Sequence, residues 1–154
     1  MTFPITNFGG LYFFLSNFYV ADDGFCVEMA YQAAKTTDPI EQAWVLASPD
    51  PKTAKHRGYK VRKRPDWEII RVRIMRSLLR TKFTNPILRD ALLATGDTDF
   101  IEGNFWHDKF WGAAWDNESR TWIGENWLGR LLMELRSELV AQRTRENEDE
   151  VANA

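Results

Sequence analysis

Three times along this chain an Asp or Asn, each a good N-cap, stands directly before a proline: Asp38-Pro39, Asp50-Pro51 and Asn85-Pro86. Proline at the first helical position gives up only an N–H that has no intrahelical partner, and its fixed φ is already helical. The Asp or Asn before it accepts from the next free amides. These signals predict three helix starts. The first has an acid at its third position, Glu41, and runs to about Ala47; the second is short and stops at Gly58; the third closes at Gly96.

Hydrophobic spacing adds the longer elements. Trp67, Ile70, Ile74 and Leu78, with Met75, Leu79 and Phe83 one face over, give a buried helix over residues 66–83. Leu128, Leu131, Leu132, Leu135 and Leu139 face inward on a final helix from about Asn126 to Gln142. Residues 3–26 alternate aromatics with Gly, Asn and Asp, which predicts short extended segments joined by a turn at Asp23-Gly24. Phe100-Ile101-Glu102 reads as a short strand. No repeat or linker divides the chain, so the expectation is a single helix-rich α+β domain over residues 1–143, with short N-terminal and central strands. Residues 145–154 hold four acids and one Arg, and residues 144–154 read as a disordered acidic tail.

Composition narrows the function. At 154 residues the chain is long enough to bury a core. A net charge of −2 excludes a globally basic nucleic-acid binder but not a local basic patch. The lone Cys26 forms no internal disulfide, and His56 and His107 are far apart, so no zinc site or metal catalysis is expected, although carboxylates could still recruit magnesium; no cofactor is expected either. No apolar run suits a membrane span and the N-terminus does not read as a secretory signal, which places the protein in the cytoplasm as an expectation.

Several groups of residues could carry chemistry. Glu28, Tyr31, Gln32 and Lys35 share one stripe of a helix at about 100° per residue, while Ala30, Ala33 and Ala34 let its other sides pack closely. A carboxylate and an ammonium about 10 Å apart along the axis could grip a sugar-sized group; the alternative is a solvated helix face. The segment from Phe105 to Trp127 holds five of the seven tryptophans with little expected regular structure. Within it Asp108, Trp111 and Gly112 bring acid, ring and flexible backbone together, whereas Trp106, Trp115 and Trp122 are assigned to packing. Lys55 to Arg64, Arg57 included, has six Lys/Arg and no acid, which suits phosphate or a nucleic-acid backbone, or else a solvated connection. Ser16 and Asn17 either stabilise a turn or touch a ligand. Glu102 is a second site carboxylate or a strand-end residue.

Leu15-Ser16-Asn17-Phe18, the Glu28-to-Lys35 helix, Lys82-Phe83, Leu92 to Gly96, Glu102, Asp108 with Trp111-Gly112, and Gly124-x-Asn126-x-Leu128-Gly129 occur in an order that resembles the NADAR, or YbiA-like, family over roughly residues 11–140. The resemblance implies a small α+β domain that hydrolyses N-glycosidic bonds, of ADP-ribose on guanine or of phosphorylated amino-sugar intermediates of riboflavin synthesis. It implies Glu28, Lys35 and Asp108 as catalytic residues. Ser16, Asn17, Tyr31, Gln32, Arg57, Glu102, Trp111, Gly112 and Asn126 are the substrate contacts that follow from the residues and the resemblance together, gathered around one pentose. Two positions depart from the family pattern: Met29, where His is common, and Phe110, where Tyr is common. The competing expectations are an ADP-ribose- or NAD-binding module without turnover, favoured by Met29, and a nucleic-acid-binding protein using the basic patch.

Overall fold

The computed structural model describes residues 2–154. It has six α-helices and a small three-stranded sheet, the helix-rich α+β class expected. Contacts gather into two compact units, Gly9–Thr84 and residues 2–8 with Asn85–Ala154.

The first unit holds α1 (Val27–Ala33), α2 (Pro39–Leu46), α3 (Pro51–Gly58) and α4 (Trp67–Lys82). Both proline signals work as the chemistry demands. Asp38 accepts from Ile40 N at 2.8 Å, and Asp50 from Thr53 N at 2.7 Å. Glu41 does not reach back to close a capping box. Its carboxylate takes Thr36 Oγ1 at 2.6 Å and Arg62 N at 3.1 Å, tying both ends of the α2–α3 pair together. Helix α1 packs on α2, α3 and α4. Met29 leans on a cluster of Ala33, Val45, Ala54 and Val61, and Leu15, Val27, Met75, Leu79 and Phe83 are fully buried.

Helix α1 begins at Cys26, which offers no capping oxygen. The orphan amide of Glu28 is taken instead by the carbonyl of Asn17 at 2.9 Å, so a distant turn caps this helix. The Asp23-Gly24 turn forms, with Gly24 at φ 84° closing a bridge between Val20 and Cys26. Extended structure was expected over Phe8-Gly9-Gly10-Leu11. A 3-10 helix covers Gly10–Leu15 instead, with Gly10 at φ 54° and Leu11 exposed.

The second unit holds α5 (Pro86–Ala94), β1 (Gly103–Asn104), β2 (Ala113–Asp116), β3 (Thr121–Ile123) and α6 (Trp127–Ala152). Asn85 accepts from Ile87 N and Leu88 N, and Gly96 at φ 60° ends the turn after α5. Strand β2 pairs parallel with β1 and antiparallel with β3. The strand expected at residues 100–102 thus starts three residues late, at Gly103, Phe100 making only an isolated bridge to Ile5. The Phe105–Trp127 segment is not structureless: β2 and β3 form a hairpin in which Trp115 and Trp122 face each other with centroids 5.4 Å apart. Trp106, assigned to packing, is 66% exposed. Helix α6 passes the expected stop at Gln142 and continues to Ala152, its final residues exposed on all sides, where a disordered tail was expected. No Gly or Pro interrupts residues 143–152, and a Gln142–Glu146 hydrogen bond at 2.9 Å spans a turn of the extension. No helix among the described residues is long and apolar enough to cross a membrane.

Candidate active site

In the first unit the carboxylate of Glu28 is buried, 6% exposed, on the first turn of α1. Burial of a carboxylate is costly unless its oxygens are bonded. One partner is Gln32, a turn later, whose Nε2 donates to Glu28 Oε1 at 2.7 Å. Gln32 is itself 3% exposed. Its Oε1 lies against Gly58 of α3, where a Cβ would stand 2.0 Å from that oxygen. Gly58 was expected as a helix stop; it is the last residue of α3, and its bare Cα is what lets Gln32 lie flat. Gly58→Ala is expected to lower stability by about 1–3 kcal/mol through overpacking, outweighing the roughly 1 kcal/mol gained in helix propensity. An unchanged melting temperature would contradict the contact.

Lys35 sits just beyond α1. The helix ends after Ala33: Ala34 N still bonds Ala30 O, but the amides of Lys35 and Thr36 turn to the carbonyls of Gln32 and Ala33, three residues back, and the Lys35 carbonyl accepts from Arg64 N at 2.7 Å. The stripe survives this exit. The ammonium, half-buried, lies 5.2 Å from the ring centre of Tyr59 and 5.8 Å from that of Tyr31. Tyr31 is buried against Trp67, centroids 4.9 Å apart. Burial pulls the Lys35 pKa below the ordinary lysine value; Glu28 opposes that pull, and the cations of Lys55 and Lys63 add to it. A buried acid bonded to an amide, coupled electrostatically to a half-buried amine that lies by two aromatic rings, is not a solvated helix face.

Ser16 and Asn17 adjoin this helix. Ser16 Oγ accepts from Phe18 N at 3.1 Å, the turn-stabilising role. Asn17 is buried; its carbonyl caps α1, its Nδ2 donates to Met75 Sδ at 3.6 Å, and its Oδ1 has no hydrogen-bond partner among the described residues. The basic patch is largely spoken for. Arg64 binds Asp66 at 2.6 Å, Lys63 binds Glu68 at 3.1 Å, and Arg57 donates to the Trp44 carbonyl at 2.6 Å while lying on that indole. Lys55 lies over Phe18.

In the second unit Asp108 builds a loop. Its Oδ1 accepts from the amides of Phe110 and Trp111 at 3.0 and 2.9 Å, while Asn104 grips the Asp108 backbone at N and O. Trp111 is half-buried, edge-on to Phe110. Gly112 is a packing glycine: a Cβ there would meet the Glu102 carbonyl at 2.2 Å. Asn126, at φ 52°, spends both ends of its amide inside the fold, accepting from Glu102 N at 3.0 Å and donating to Phe100 O at 2.8 Å. No cluster suited to a metal ion occurs among the described residues.

One buried polar group of the quoted motifs receives no role from sequence. Lys82, at the end of α4, is 3% exposed, and its Nζ donates to Ser16 O at 2.8 Å. Its place on the Met75–Leu79 stripe was the available signal.

With this geometry in hand, the family can be assigned. The NADAR domain family model matches residues 12–140. The chain belongs to that family. It is 34% identical over 119 residues to N-glycosidase Npun_R5314 of Nostoc punctiforme, covering 73% of this chain and 72% of that protein. The riboflavin biosynthesis protein VVA0006 of Vibrio vulnificus is 42% identical over 135 residues, 82% of this chain. This chain spans only 35% of that protein's length, and 12% of the related chloroplastic protein PYRR of Arabidopsis thaliana. The NMR structure of YbiA from E. coli matches with a TM-score of 0.76 at 31% identity, over 94% of this NADAR chain and 89% of that one.

Proposed function

We propose that this NADAR protein is an N-glycosidase that hydrolyses the C1′–N bond of a phosphate-bearing ribosyl substrate, either ADP-ribose on guanine or a phosphoribosylamine of riboflavin synthesis. The observation that carries the reading is the buried Glu28, held by Gln32 and coupled electrostatically to the half-buried Lys35. The relatives named N-glycosidase support the reaction class, and those named for riboflavin biosynthesis support the second substrate.

Breaking the bond builds positive charge on the ribose and negative charge on the departing base. In the proposed route the unprotonated Lys35 amine adds to C1′ as the C1′–N bond breaks, and the Glu28 carboxylate relays one of the two Nζ protons to the departing base. Opening of the ribose ring leaves an imine between Nζ and C1′. Water then hydrolyses it, Glu28 relaying the water's protons to Nζ, and the amine is restored. Lys35 suits this role because burial favours its neutral form. The carboxylate role falls to Glu28 in preference to Asp108, whose Oδ1 already serves two backbone amides. Asp108 is then a positioning residue for its loop.

Borohydride added during turnover is expected to leave the reduced sugar covalently attached at Lys35, read as a mass increase on that peptide. Turnover without any adduct would reject the imine and leave a charged Lys35 assisting direct attack by water. Absence of base release from both substrates would reject the enzyme reading itself. Met29 does not weigh toward a binding-only module, because its side chain packs on the Ala33–Val45–Ala54–Val61 cluster.

A further inference from the structure

Lys82 is a buried amine that the proposed chemistry does not use. A lysine in the last turn of a helix ordinarily reaches solvent and favours the helix dipole. This one turns inward. Its Nζ bonds the Ser16 carbonyl at 2.8 Å and lies 5.4 and 5.3 Å from the ring centres of Tyr19 and Phe83. Among the described residues no carboxylate faces it. The titratable groups beside it are the Cys26 thiol, at the start of α1, and the Tyr19 phenol.

The bonded path from this amine leads to the site. Ser16 O receives Lys82; the next carbonyl, Asn17 O, receives both Glu28 N at 2.9 Å and Cys26 Sγ at 3.4 Å. Ser16 Oγ holds Phe18 N. One short turn thus carries the cap of α1 on one side and a buried amine on the other. We infer that Lys82 is a positioning residue for Glu28, holding the Ser16–Asn17 turn that caps α1, with the strength of that hold set by the proton on Nζ.

The physics gives the direction. A protonated amine donates a charge-assisted hydrogen bond, about twice as strong as a neutral one. Burial lowers the Lys82 pKa from 10.5 to about 7, with Cys26 opposing. The thiol of Cys26 is pushed up by its own burial, so it stays neutral where Lys82 changes state. Raising the pH through neutrality therefore weakens the Lys82–Ser16 bond and loosens the turn.

The test is a pH titration of the 15N-labelled full chain from about pH 5 to about pH 9, around the lowered lysine value. The amides of Phe18 and Glu28 are expected to shift together with one midpoint near that of Lys82. The inflection is expected to persist in Cys26→Ser and to vanish in Lys82→Met. Any of three results would overturn the inference: no common inflection in the wild type, its survival in Lys82→Met, or its loss in Cys26→Ser. The wild-type arm decides even if Lys82→Met fails to fold. In turnover, which rests on the glycosidase reading as the titration does not, Lys82→Met is expected to lower kcat about tenfold at low pH and to flatten its decline as pH rises. Lys82→Arg is expected to restore the low-pH rate.

Discussion

Replacing Glu28 by Gln is expected to lower kcat by about two to four orders of magnitude, the usual range for removing a positioned general acid–base. The substitution keeps the shape of the side chain. The new carboxamide oxygen still accepts from Gln32 Nε2, as Oε1 does at 2.7 Å, and the backbone amide remains capped by Asn17. Stability should change little, so a large fall in kcat isolates the proton transfer. The variant also shifts Lys35. Glu28 raises the Lys35 pKa against the effect of burial, so its removal lowers that pKa further. The acid limb of kcat/KM, where it reflects Lys35 losing its proton, should move to lower pH in Glu28→Gln. Wild-type turnover in the variant, or an acid limb that moves to higher pH, would remove Glu28 from the mechanism.

Lys82→Met is expected to stabilise the chain at and below neutral pH, and to do so by less as the pH rises. The folded-state pKa of about 7 lies below the unfolded value of 10.5, so the unfolded chain binds more protons between those limits. The cost of the buried charge is present in full below the folded value and fades as the pH climbs toward 10.5. A shift of this size corresponds to at most about 5 kcal/mol. Leaving the Ser16 carbonyl without its donor returns about 1–3 kcal/mol of that. The net gain expected at about pH 6 is therefore on the order of 2–4 kcal/mol, turning into a small loss near pH 10. Denaturant melts of wild type and variant at both pH values measure it. Lys35 also gains stability with rising pH, but it is common to both proteins and cancels in the difference. A difference that is the same at both pH values would contradict the burial of this charge.

The three proline-led helices were legible because their signal is local: one capping side chain, one fixed φ, and amides two or three residues away. The acid–amine stripe of α1 was legible for the same reason, as helical spacing alone brings Glu28 to Gln32. What escaped depends on distant parts of the chain. The hairpin strands of the Trp-rich segment are three or four residues long, too short for alternation to register, and their register rests on the Trp115–Trp122 pair. The 3-10 helix after Gly9 buries only Leu15 and so shows no apolar face. The cap on α1 comes from residue 17, and the burial of Lys82 from a carbonyl 66 residues away. Asp108 and Gly112 illustrate a different limit: a motif identifies which residue matters before it reveals whether that residue holds a ligand or holds the fold.

The bracket at Asn126 leaves that position almost no freedom. One arm must accept and the other must donate, on a side chain short enough to span Phe100 and Glu102, from a backbone twist that few residue types tolerate. Aspartate, differing by a single atom, would set an oxygen against an oxygen. The slow deamidation that ages asparagine in stored protein would thus prise this segment open from within.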